Sequence, residues 1–205
     1  MPRAGAAVER ARPEDASALH EIARRTFVDA TPPDAVPEAI DEFVAAQLSA
    51  AAFAGHIDSP ASRVLVARSG APLGESAPSC EGASAATGAR RPRAIGYALV
   101  LLDRPAPSEG ADVDPGQALV RGRGLFLSKF YLLPEARGTG ASTVLMEAVL
   151  RVVSEIGADY LWLTVNQLNP RANAFYERAG LRVVGTARFP LGPRVHDDWV
   201  RARRV

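Results

Sequence analysis

Between Leu125 and Gly180 the chain sets two kinds of chemistry one after the other. Arg137-Gly138-Thr139-Gly140-Ala141-Ser142 follows an apolar, strand-like run and precedes a long amphipathic stretch. Glycines let a backbone approach phosphate oxygens without an intervening side chain, and unpaired N–H groups at a helix start offer an anion the positive end of a dipole. An ordinary tight strand-to-helix turn has the same composition, so the turn alone leaves both readings open. It is not a triphosphate P-loop, because the lysine and the hydroxyl residue after it are missing. It is not a dinucleotide fingerprint either, which needs three spaced glycines and a downstream acid. Further along, Asn169-Pro170 opens a helix that carries Tyr176. A phenol placed there is either a core tyrosine or a general acid for a departing group.

These groups need elements to hold them. The pattern predicts a short strand over Ala7 to Arg10 and a helix from Glu14 or Asp15 through Phe27, with Ala18, Leu19, Ile22, Ala23 and Phe27 at helical spacing. Thr31-Pro32-Pro33 breaks it, and Pro37 starts a second helix with Ile40, Phe43, Val44 and Leu48 along one stripe. Strands follow at 63–68, 94–102 and 124–133, then a helix over 140–156 whose Val144, Leu145, Ala148, Val149, Val152, Val153 and Ile156 want a sheet beneath them. Tyr160 to Val165 is a strand, Asn169 caps a helix with Pro170 at its first position, and strands over 181–188 and 195–203 close the chain. The fold expected is α/β: a mixed, mostly antiparallel central sheet of about seven strands with helices on both faces.

At 205 residues the chain suits a single domain spanning 1–205. Residues 69–93 and 104–123 are rich in Gly, Ala, Ser, Pro or Asp, bury too little apolar surface to offset their ordering entropy, and read as flexible insertions. Hydrophobic content of 47% and charged content of 23% are globular values, and a net charge of +1 gives no general pull toward nucleic acid or membrane. Lys129 is the only lysine. Cys80 is the single cysteine and has no histidine or aspartate near it, so neither an internal disulfide nor a catalytic thiol is expected. No metal site is read. The first turn is charged (Arg3, Glu9, Arg10, Arg12), without the apolar core of a signal peptide, and a soluble cytoplasmic protein is the expectation.

The run Phe130 to Ser142 resembles the acetyl-CoA signature of the GCN5-related N-acetyltransferases (GNAT), whose turn reads Arg/Gln-x-x-Gly-x-Gly/Ala; Ser142 is a mild departure at its last position. Asn169 to Leu181 is similar to the same family's Asn-x-x-Ala-x-x-Phe-Tyr-x-x-x-Gly-Phe pattern. The resemblance implies acetyl-CoA as co-substrate, with its pyrophosphate on Arg137, Gly138, Thr139, Gly140, Ala141 and Ser142. It implies a pantetheine arm along Phe130, Tyr131 and Leu132, with the Leu132 N–H facing the thioester oxygen. Asn169 would reach a pantetheine amide, and Tyr176 would be the general acid. Family members often take their base from the fourth strand, which here reads Leu125 to Phe130 without an acid. Proton loss through ordered water is the default expectation.

The tail Arg188 to Val200, with Phe189-Pro190-Leu191-Gly192 and Asp198-Trp199, is similar to the bacterial spermidine/spermine acetyltransferase subgroup, as is Thr26-Phe27-Val28-Asp29. That likeness implies transfer to a primary amine, polyamines first, with Phe27, Asp29, His196 and Asp198 (beside Asp197) as acceptor-side residues. Acetylation of a protein N-terminus or lysine, and a non-catalytic acyl-CoA-binding regulatory module, are the alternatives. Partners expected are a small-molecule amine, no nucleic acid and no membrane; an apolar sheet edge is compatible with a homodimer.

Overall fold

The computed structural model describes residues 6–32, 34–70, 91–104 and 122–205. The insertions expected at 69–93 and 104–123 lie largely outside these residues, as does Cys80. Seven strands form one sheet in the order β1-β2-β3-β4-β5-β7-β6. They are β1 (Ala7–Arg10), β2 (Ser62–Arg68), β3 (Ala94–Leu101), β4 (Gly124–Leu132), β5 (Tyr160–Asn166), β6 (Arg182–Leu191) and β7 (Arg194–Arg204). Only β4 and β5 run parallel; every other neighbouring pair is antiparallel. β2 and β3 pair as the sequence suggests, and Ser69 N–H donates to Arg93 O at 3.0 Å, so the excursion between them leaves and returns at one point.

Among the described residues five α-helices cover the sheet: α1 (Ala16–Thr26), α2 (Pro37–Gln47), α3 (Ala50–Asp58), α4 (Ala141–Glu155) and α5 (Pro170–Arg178). The apolar stripe of α4 (Leu145, Ala148, Val149, Val153) packs with Tyr176 of α5 onto Leu65, Ala98, Leu125, Leu127 and Leu161. The opposite face holds α1, α2 and α3, whose Leu19, Ile22, Val44 and Phe53 meet Val64, Val66, Tyr97 and Leu99. Alternating side chains of the central strands thus feed two cores, one on each face. At the sheet edge buried Arg68 binds Glu9 at 2.6 Å and Asp15 at 2.5 Å, tying β1 and the start of α1 to β2.

One element has no counterpart in the expectations above. α3 is rich in alanine, with only Phe53 and Ile57 buried, so its hydrophobic periodicity is faint. Its signal is local: Ser49 Oγ accepts from Ala52 N–H at 3.2 Å as an N-cap, and Phe53 and Ile57 are one turn apart. β6 also begins one residue later and runs three residues longer than the spacing suggests, because the Leu191–Arg194 pair carries the hairpin to its tip.

Candidate active site

The site begins where two parallel strands part. β4 pairs with β5 only over Gly124↔Tyr160, Leu125↔Leu161 and Phe126↔Trp162. Beyond Phe126 the strands diverge, and the opening between them is a cleft of about 440 Å³. An irregularity opposite Leu99 and Val100 leaves Ser128 as an extra residue on β4, a bulge at the point of divergence. β4 stays hydrogen-bonded to β3 on its other edge, and Leu133 N–H donates to Ile95 O at 2.9 Å. Main-chain groups of successive residues in a strand point to opposite edges. Since Leu133 points to β3, Leu132 and Phe130 present N–H and C=O to the cleft. A thioester carbonyl lying along β4 would meet donors of that kind.

The turn after β4 supplies the second feature. Gly138 and Gly140 have φ of 77° and 92°, and a Cβ at either would enter open space with nothing within 4 Å. Left-handed backbone is where glycine is unstrained. Arg137 N–H is used by Pro134 O, but among the described residues the N–H groups of Gly138, Thr139, Gly140 and Ser142 have no acceptor. Thr139 folds back, its hydroxyl donating to Ala136 O at 2.7 Å and leaving the amides clear. Four free donors at the head of the fifteen-residue α4 make an anion cradle. Gly140→Val places a β-branched residue at positive φ, where it is strained, and so distorts the turn that presents those amides. The expected result is at least about a tenfold loss of CoA affinity by calorimetry, and unchanged affinity would remove the cradle assignment.

Asn169 caps α5 by accepting from Ala172 N–H at 3.0 Å, which leaves its amide nitrogen toward the cleft it lines. Asn173, absent from the expectations, holds the turn before α5 by donating to Asn166 O and Asn169 O, both at 2.9 Å, and by accepting from Arg201. These clamps aim Tyr176 into the cleft. It is 9% exposed, packed against Phe130 and Phe175, and burial, with a smaller contribution from Tyr131, raises its hydroxyl above the ordinary phenol range.

Asp198 faces the same cleft from β7. It is 6% exposed, its Oδ1 is buried without a hydrogen-bond partner, and it is the only carboxylate lining the cleft among the described residues. Burial pushes its carboxyl up to about 6, against the opposing pull of hydrogen bonds from Thr164 and Asn166 and of His196. Tyr131 is half-buried; its phenol is held above the ordinary range by desolvation and by the charge of Asp198. His196 shares a face of β7 with Asp198 and is 8% exposed, but it does not line the cleft. Phe27, Phe43 and Phe189 form an aromatic wall, with Phe27 and Phe43 stacked at 4.7 Å.

Most of the expected site residues therefore converge: Phe27, Phe130, Tyr131, Leu132, Arg137, Gly138, Ser142, Asn169, Tyr176 and Asp198 line one cleft. Asp29 does not. It binds Arg137 at 2.5 Å and lines a smaller cavity with Asn169 and Arg171, at the glycine turn rather than beside the aromatic wall. Its carboxylate would compete with a pyrophosphate for Arg137, so Asp29→Ala is expected to tighten CoA binding by about two- to fivefold at low salt; weaker binding would show that the pair builds the site. Ser128, Thr164 and Asn166 had no sequence signal, because each acquires meaning only from the divergence of β4 and β5.

A seven-stranded sheet split between parallel central strands, with an anion cradle at one end of the split and a phenol and a carboxyl in it, is the architecture of an acyl-CoA-dependent transferase. The profile of the Acetyltransferase (GNAT) family matches residues 75–181. Uncharacterized N-acetyltransferases of Mycobacterium tuberculosis and Mycobacterium bovis are 36% identical over 191 residues, covering 93% of this chain and 98% of theirs. The chain belongs to the GNAT acetyltransferase family. The fold is shared with the PaiA N-acetyltransferase of Thermoplasma acidophilum, solved with coenzyme A (TM-score 0.66, 16% identity, 98% of this chain and 99% of that one). It is also shared with the ribosomal-protein-S18-alanine N-acetyltransferase of Escherichia coli (TM-score 0.59, 16% identity, 98% and 94%). Among the described residues no helix is long and apolar enough to cross a membrane.

Proposed function

We propose that this chain moves the acetyl group of acetyl-CoA to the primary amine of a small molecule, by direct attack within a ternary complex. Acetyl-CoA is the co-substrate of the family. Its pyrophosphate would sit on the amides of Gly138 to Ser142 and its pantetheine along the open edge of β4. The observation that carries the reading is the placement of Tyr176 and Asp198 on opposite walls of one cleft, with the free edge of β4 between them.

The chemistry divides between those walls. An alkylammonium has a pKa of roughly 10, so the amine must lose a proton before or as it attacks. Asp198 takes that proton: its raised carboxyl is a stronger base than an ordinary aspartate, and its free Oδ1 is the acceptor. This assigns to β7 the base that β4 lacks, and replaces ordered water as the default. As the carbonyl becomes tetrahedral its oxygen accepts from Leu132 N–H. The C–S bond then breaks. Tyr176, kept protonated by its burial, donates a hydrogen bond to the sulfur as thiolate character develops. A free thiol ionises near 8.5, below a phenol, so the donor stabilises the leaving group more than it hands over a settled proton.

The likeness of the 188–200 tail to polyamine acetyltransferases places polyamines in the amine panel to be assayed. Thiol release from acetyl-CoA in the presence of an amine panel tests the reading. Turnover of small amines is expected; turnover confined to peptide N-termini or lysines, or CoA binding without turnover of any acceptor, would replace it.

A further inference from the structure

Among the described residues five cations line the cleft against one carboxylate. Arg137, Arg171 and Arg178 lie on the phosphate turn and on α5. The other two, Lys129 and Arg104, do not. Lys129 follows the bulge on β4 and projects to the face covered by α1 and α2, where its Nζ lies 5.5 Å over the ring of Phe43. Its one hydrogen-bond contact is Ser128 Oγ, at 3.4 Å. Among the described residues it has no carboxylate within ion-pair distance, although Asp41 and Glu42 are carried, exposed, by α2. Arg104 rests 4.4 Å over the ring of Phe126 at the root of the cleft. Burial, and then Arg104, bring the ammonium down to about 8, so it is still largely charged at neutral pH.

An ammonium partly withdrawn from water without a counter-ion is costly, and a cation–π contact offsets only part of that cost. Here the uncompensated charge faces the space that receives the acceptor. Asp198 Oδ1 faces the same space, also without a partner. Lys129 is two residues before Tyr131 on the same strand, roughly 7 Å along it. Tyr131 in turn is close enough to Asp198 to feel its charge.

We infer that the acceptor carries an anionic group, a carboxylate in the simplest case, a few atoms from its amine: the amine meets Asp198 while the anion meets Lys129 and Arg104. This deepens the proposed N-acetyl transfer and rests on it. The same cations disfavour a polycation, whose second ammonium would be brought against Lys129.

The test uses acceptors of equal length that differ only in the end opposite the amine: ω-amino carboxylates, alkylamines ending in methyl, and diamines. With wild-type protein, kcat/KM for the carboxylate is expected to exceed that of its methyl counterpart by about 10- to 100-fold, mainly through KM, with the diamine lowest. Lys129→Met should erase the preference, and Lys129→Glu should turn it toward the diamine, in protein whose circular dichroism and CoA affinity are unchanged. Equal rates for the three series, a wild-type preference for diamines, or a carboxylate preference that survives Lys129→Met would overturn the inference. Calorimetry of the N-acetyl products on the CoA complex separates it from the activity itself. If no amine is turned over, Lys129-dependent binding of the carboxylate product upholds the inference while acetyl transfer falls, and absence of such binding defeats it.

Discussion

Tyr176→Phe is expected to lower kcat by about 10²- to 10⁴-fold, the range in which positioned acids contribute, while CoA affinity stays within about twofold. The reason lies in what the substitution removes. The ring packs against Phe130 and Phe175, and phenylalanine retains those contacts, so the wall of the cleft keeps its shape. Only the hydroxyl is lost, and with it the donor to the sulfur as charge builds there. Because that interaction strengthens toward the transition state, the loss should fall on kcat and not on ground-state binding. Single-turnover thiol release with calorimetric CoA titration makes the comparison. Equal activity of variant and wild type would return Tyr176 to the role of a core tyrosine.

Asp198→Asn is the second large effect, and its signature is in the pH dependence. The groups acting on Asp198 are His196 and Asp197 on its own strand and Thr164 and Asn166 on β5, and its charge reaches Tyr131 on β4. With the carboxyl at about 6, wild-type kcat/KM should climb as pH rises through 6 and the base becomes ionised. The asparagine variant should lose that limb and be slower at pH 7 by about 10²-fold or more. Its residual rate should rise with the free-amine fraction toward pH of about 10.

Stability should move the other way. A carboxyl raised from 3.8 to about 6 on folding favours the protonated fold, so its contribution is full below the unfolded value and is lost as pH rises through the folded one. Above pH 6 the buried carboxylate is therefore a burden. Removing its charge should stabilise the cofactor-free protein by on the order of 1–3 kcal/mol, read as a higher Tm at pH 8. A variant that is both more stable and less active would mark Asp198 as a functional strain. A variant that is less stable, with the pH profile intact, would make it a structural residue.

What the sequence determined by itself is the part written in local pattern. The 3.6-residue stripe of α4, the Asn169-Pro170 start of α5, the positive-φ glycines of the turn and the strand spacings follow from interactions among near neighbours. The glycine turn before α4 and the position of Tyr176 on α5 were legible for the same reason, since a motif is a short piece of chain. α3 escaped because alanine is compatible with both helix and loop, and only the docking of Phe53 and Ile57 on the sheet settles the matter.

The tertiary structure decided which side chains share the cleft. Nothing near Asp198 in the chain distinguishes it from Asp197, yet strand alternation exposes one and buries the other, and the pairing Asn166↔Asp198 sets the buried one at the divergent end of β5. Nothing near Asp29 announces that Arg137 claims it across the fold. Lys129 reads as an isolated basic residue until the bulge at Ser128 and the ring of Phe43 draw it partly out of water. Burial and long-range pairing depend on which strands become neighbours, and burial is what turns an ordinary aspartate and an ordinary lysine into groups with chemistry.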